Sequence, residues 1–127
     1  MENVNFMYGM IMTKQDNFVE SMAEAAKAVS DYEDNGNRML YINVMNNISI
    51  DCDCVSDPAV PEIEDIGILA STDPVALDQA CVDLVYDAEG NESLINRIEE
   101  RNGLLILRHA QEIGLGNRSY RLIDIDK

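Results

Sequence analysis

The sequence predicts an α/β fold: helices packed on a small, mostly parallel or mixed sheet, in a single domain over residues 1–127. Three observations lead there. Strand-like and helix-like segments alternate along the chain, the pattern of helices layered on a sheet. Two of the strand-like runs, residues 39–45 and 66–70, are nearly continuous in apolar residues, as strands covered on both faces are. The chain has 127 residues, 46% of them hydrophobic, enough for one core and too few for two.

The elements follow in order. Residues 3–12 gather Val4, Phe6, Met7, Tyr8, Met10, Ile11 and Met12 around Gly9 and read as a strand that the glycine weakens. Residues 16–30 read as a helix. Phe18, Met22, Ala25 and Val29 recur at helical spacing, so they are expected to share the buried face, with Glu20, Glu24, Lys27 and Asp31 on another. Asn35-Gly36-Asn37 ends this helix. After the strand at 39–45, residues 46–61 form a long irregular loop with Pro58 and Pro61, and loops of that length are often functional. After the strand at 66–70, Asp73 is a good N-cap and Pro74 suits the first helical position. The helix so begun carries Leu77, Cys81, Leu84 and Ala88 as its inner stripe, flanked by Ala80 and Val85. Two shorter helices are expected at 93–100 and 104–113, the second closed by Gly114. Residues 120–125 read as a terminal strand, with an antiparallel edge position open to it.

Charge narrows the function. Nine Lys and Arg against 24 Asp and Glu leave a net charge of −15. Such a field repels phosphate backbones and anionic lipid, so neither a nucleic acid nor a membrane is expected as partner. No apolar run approaches the length of a membrane span. Glu2 stands where a secretory leader carries Lys or Arg, and three cysteines are an odd count for a disulfide scaffold, so a cytoplasmic location is expected. From Met39 through Asn96 there is no Lys or Arg but there are twelve acids, a solvated acidic surface or a site for a cation or a basic partner.

The run Asp51, Cys52, Asp53, Cys54 offers two thiols and two carboxylates in four residues, a ligand set for a transition metal such as iron or zinc. Four soft ligands would need Cys81, His109 or another subunit, and no ferredoxin-type cluster motif occurs. Neighbouring carboxylates raise a thiol pKa, which opposes a reactive thiolate in the run. Asn46, Asn47 and Asp73 follow predicted strands. Were those strands parallel, all three would meet the Asp51–Cys54 loop at the carboxyl edge of the sheet, where open α/β folds bind ligands. Asp73 as a plain N-cap is the competing reading. His109 reads as a surface residue and Cys81 as core. No catalytic residue is identified, and no nucleotide-binding glycine motif is present.

Three stretches taken together carry a family resemblance: YINVMNNI at 41–48 leading into the DCDC run, DIGILASTDPVALDQA at 65–80, and AQEIGLG at 110–116. In this order and spacing they resemble the C-terminal part of the domain of unknown function family 362, from about residue 6 onward. Members are often described as iron–sulfur centre proteins. The resemblance implies an α/β domain. The resemblance implies that the N-terminal α/β part and cysteine-rich ferredoxin-like insert of longer family members have no counterpart in these residues, and that only the DCDC run carries over as a ligand group. Two functions are therefore expected to compete. One is metal or ligand binding at Asp51–Cys54, linked to iron–sulfur or redox proteins. The other is a non-catalytic assembly module, a homo-oligomer or a chain completed by a partner that supplies the missing half.

Overall fold

The computed structural model describes residues 14–51 and 55–126. Its order is α1 (Gln15–Tyr32), β1 (Tyr41–Met45), β2 (Gly67–Ser71), α2 (Pro74–Asp87), α3 (Glu92–Glu100) and α4 (Leu105–Glu112). The expected strand at 3–12 lies outside the described residues. Four helices and a small sheet form the α/β arrangement read from the sequence.

The sheet has two strands, and they run antiparallel, Tyr41 opposite Ser71 and Met45 opposite Gly67. The parallel or mixed pairing expected from the apolar runs is not what forms among the described residues. An antiparallel pair can leave one face to solvent, and among the described residues this one does. Met45 and Leu69 point into the core, while Ile42, Val44 and Ile68 are 57%, 62% and 70% exposed on the other side. Among the described residues the expected cover on both faces is not found: α2 packs on one face only. Residues 120–125 form no strand.

α2 organises the interior. It packs on both strands, on α3 and on α4, and its residues belong to two apolar clusters. Leu77, Cys81 and Val85 join Met45, Ile63 and Leu94 beneath the sheet. Val75 joins Ala23 and Leu107 and Ala110 between α1 and α4. The stripe read from the sequence therefore holds for α2. It does not hold for α1, whose buried residues are Val19, Ala23 and Ser30, while Met22 and Val29 are exposed. The helix is turned by about one residue, roughly 100°. Ala23 allows α4 to approach closely, and Asn102 donating to Asp16 and Gln15 donating to the Arg101 carbonyl fix the rotation. The predicted end at Asn35-Gly36-Asn37 is present, with Asp34, Asn35 and Gly36 all at positive φ. Among the described residues no helix is long and apolar enough to cross a membrane.

Candidate functional site

The antiparallel register separates the residues expected to converge. Asn46 and Asn47 leave β1 at its Met45 end, beside the start of β2. Ser71 closes β2 at the opposite end, paired with Tyr41, and Asp73 follows it. Five paired residues put roughly 13 Å between the two ends. The single carboxyl edge inferred from parallel strands does not exist here.

Each of these residues instead has a local structural task. Asn47 turns the chain at φ 52°, and its N–H donates to Asp65 Oδ1 at 2.8 Å. Asn46 is exposed beside it. Asp51 Oδ2 accepts from the Ala59 N–H at 3.0 Å, closing the loop from within, and Ser49 Oγ donates to the Asp51 carbonyl at 3.2 Å. Cys52, Asp53 and Cys54 lie outside the described residues. Among the described residues no group of three or more His, Cys, Asp or Glu could hold a metal ion.

Asp73 is the most connected of the set. Its Oδ1 accepts from Val75 and Ala76 N–H at 2.9 and 3.0 Å, the N-cap expected before Pro74. Its Oδ2 accepts from the Asn117 N–H at 2.8 Å. One carboxylate thus caps α2 and ties down the turn after α4. Gly116 packs directly on it: a Cβ there would sit 2.1 Å from Asp73 Oδ1. Two of the quoted stretches, the one containing Thr72-Asp73-Pro74 and the one containing Gly114-Leu115-Gly116, meet at this point.

Three groups of contacts, around Asn43, His109 and Asp83, leave no mark in the local sequence. Asn43, the polar residue inside the apolar run of β1, sits on the inward alternation; its amide donates to Asp78 Oδ1 at 2.8 Å and to Cys81 Sγ at 3.3 Å. Burial pushes the Cys81 thiol above its ordinary value of 9.0; the Asn43 hydrogen bond opposes this and the Asp78 charge adds to it. Cys81 is a buried residue of the core, as read from its stripe. His109 is more covered than a surface reading implies, its side chain 17% exposed, and its Nε2 lies 3.3 Å from Glu24 Oε1, joining α4 to α1. Beyond α4, Arg118 Nε donates to Gln79 Oε1 at 2.7 Å, Gln79 Nε2 donates to Asp83 Oδ1 at 2.8 Å, and the Tyr120 hydroxyl donates to Asp83 Oδ2 at 2.8 Å. The last bond pushes the Tyr120 hydroxyl above 10.0, with desolvation and the Asp83 and Asp87 charges in support.

Grooves lie on two parts of the described surface. One, about 390 Å³, has Ile66 and Leu84 as a floor with Glu64, Asp65, Asp87 and Glu89 around it. The other, about 510 Å³, lies over the Gln79–Asp83–Arg118–Tyr120 network. Neither pairs a nucleophile with a base. A four-thiolate cluster does not fit this chain, which has three cysteines, one of them committed to the core.

Among the described residues these features define a small α/β domain with α2 on one side of its sheet and the exposed apolar residues Ile42, Val44 and Ile68 on the other. The chain belongs to the family described as Domain of unknown function (DUF362), whose match runs over residues 5–83 of the 127. No curated protein and no solved structure matches it.

Proposed function

We propose that this chain is a non-catalytic assembly module that associates with further copies through the open side of its sheet. The observation that supports it is the row Ile42, Val44 and Ile68, each more than half exposed on two paired strands. Contiguous apolar surface of this kind marks interaction sites, and a two-stranded sheet with uncovered apolar residues gains stability from association. The side chains that face α2 are by contrast already used in packing.

The rival reading is iron or zinc held by Asp51, Cys52, Asp53 and Cys54, with a role beside iron–sulfur or redox proteins. The DCDC run is its support. One experiment separates the two. Protein purified without oxygen is subjected to sedimentation equilibrium from micromolar to near-millimolar concentration, and the same sample to elemental analysis. A concentration-dependent dimer, metal-free and unaffected by Cys52→Ser/Cys54→Ser, is the expected result. A strict monomer carrying near-stoichiometric iron or zinc that those substitutions remove overturns the assembly reading in favour of the metal site.

A further inference from the structure

We infer that the groove over α2 binds a small monocarboxylate with an apolar body, and that Arg118 holds its carboxylate. This goes beyond the assembly reading and does not depend on it. The groove, about 510 Å³, has the size of small-molecule sites, and Arg118 is its unusual member. The chain has 24 acids against nine Lys and Arg, yet among the described residues no carboxylate lies within ion-pair distance of Arg118. It is not a loose surface arginine either. Arg97, Arg101, Arg108 and Arg121 are exposed, whereas Arg118 is half-buried and its Nε donates to Gln79 Oε1 at 2.7 Å. The acid nearest in the network, Asp83, is engaged elsewhere: Oδ1 accepts from Gln79 Nε2 and Oδ2 from the Tyr120 hydroxyl, each at 2.8 Å. Gln79 is thereby held at both ends. Its orientation follows from chemistry, because a guanidinium only donates and an ionised carboxylate only accepts.

A neutral amide thus fixes the guanidinium and leaves its charge uncompensated. The Nη groups of Arg118 make no hydrogen bond to a described residue, and together they suit a forked bond to one carboxylate. The rest of the groove selects the ligand. Asp83, Asp87 and the net charge of −15 oppose a dianion, while a single negative charge is matched by the arginine. Val82 and Leu104 are apolar, and the Tyr86 hydroxyl is buried, so it is the Tyr86 ring that borders the groove. The Tyr120 hydroxyl is committed to Asp83. These walls suit an aliphatic or aromatic body beside the carboxylate.

The test is an NMR titration of the full chain with 3-phenylpropionate, at about 0.15 M salt to screen the net charge. The alcohol 3-phenylpropanol and inorganic sulfate serve as the uncharged and dianionic comparisons. Phenylpropionate is expected to bind with a Kd on the order of 0.1–1 mM. It should shift the Arg118 Nε–H and the ring signals of Tyr86 and Tyr120. The alcohol and sulfate are expected to bind about 10-fold more weakly or not at all. Arg118→Gln should weaken phenylpropionate binding about 10-fold. Gln79→Glu keeps the arginine but sets a carboxylate against it, and should weaken binding to a similar extent; circular dichroism checks that each variant folds. Equal binding of the alcohol, sulfate binding as tightly as the carboxylate, or an affinity unchanged in folded Arg118→Gln overturns the inference. A parent that binds none of the three at about 10 mM overturns it too. Outside the described residues the side-chain carboxylates are Glu2 and Asp53. If binding is absent in the parent and present in Glu2→Gln/Asp53→Asn, Arg118 belongs to the chain's own carboxylates and the ligand reading is likewise overturned.

Discussion

Replacing Gly116 by alanine tests the tie between Asp73 and the turn after α4. Gly116 does not occupy the left-handed region, so alanine's backbone preferences are not at issue. The effect is steric. The new Cβ falls 2.1 Å from Asp73 Oδ1 and 2.8 Å from its Cγ, where real Cβ contacts essentially never come under 3.0 Å. The neighbour is not the loose end of a long side chain. It is a short carboxylate held by three backbone N–H donors, from Val75, Ala76 and Asn117. Moving it aside loses an N-cap, about 1 kcal/mol. It also weakens a charge-assisted bond of about 1.5–3 kcal/mol, at the lower end for a half-exposed group. The expected loss is about 2–3 kcal/mol, or a Tm lower by roughly 6–15 °C for a domain of this size. Thermal melts followed by circular dichroism measure it, in a cycle with Asp73→Ala. That single change should destabilise by a similar amount, and adding Gly116→Ala to it should do almost nothing further, a coupling above about 1.5 kcal/mol. Gly114→Ala is the control: φ is 77° but nothing lies within 4 Å of the added Cβ, so it carries only backbone strain, about 1 kcal/mol. A Gly116→Ala protein within 1 kcal/mol of the parent, or losses that simply add, would refute the proposed lock.

The other predictions are shorter. Leu77→Ala, at a site 3% exposed in the cluster beneath the sheet, should destabilise by about 2–5 kcal/mol in urea unfolding, with the unfolding slope unchanged. Gly90→Ala combines φ 77° with a Cβ 2.9 Å from the Glu62 carbonyl oxygen, and should lower the urea midpoint more than Gly114→Ala does. Cys81 in a Cys52→Ser/Cys54→Ser protein should react with iodoacetamide at pH 8 far more slowly than in the same protein unfolded in urea, because its folded-state pKa is raised and it is buried. Stability should fall at alkaline pH. Cys81 and Tyr120 both have folded-state values raised above the ordinary 9.0 and 10.0, so what they contribute is fully present below those values and is lost as pH rises through the folded ones. Tyr120→Phe should flatten the upper part of that decline; an unchanged profile would remove Tyr120 from it.

How much of the site was legible depends on range along the chain. Asp73 as an N-cap with Pro74 behind it is a three-residue pattern, and the fold keeps it. The second half of its role, receiving Asn117 across 44 positions, leaves no mark in either stretch alone. Asn46 and Asn47 would meet Asp73 only if the strands ran parallel; antiparallel pairing leaves Asn47 as a turn residue bound to Asp65. Asn43 offered a signal, a polar residue on the inward side of an apolar strand, which calls for a buried partner but does not say that the partners are Asp78 and Cys81, 35 and 38 positions on. The buried face of α1 misled because Phe18, Met22, Ala25 and Val29 are the more apolar set, while packing is decided by where α4 can come close, at Ala23.

The sequence by itself determined the local grammar of this protein: where most helices start and stop, which stripe of α2 is apolar, the acidic stretch without Lys or Arg, and membership of the family described as Domain of unknown function (DUF362). These follow from interactions within a few residues, or from composition, which no packing alters. Only the tertiary structure decided that β1 and β2 run antiparallel, that the outward row of Ile42, Val44 and Ile68 is left open, and that one carboxylate joins two distant motifs. Strand direction and face coverage depend on contacts between segments far apart in the chain. An apolar run such as YINVM has the same composition whether one face is covered or two.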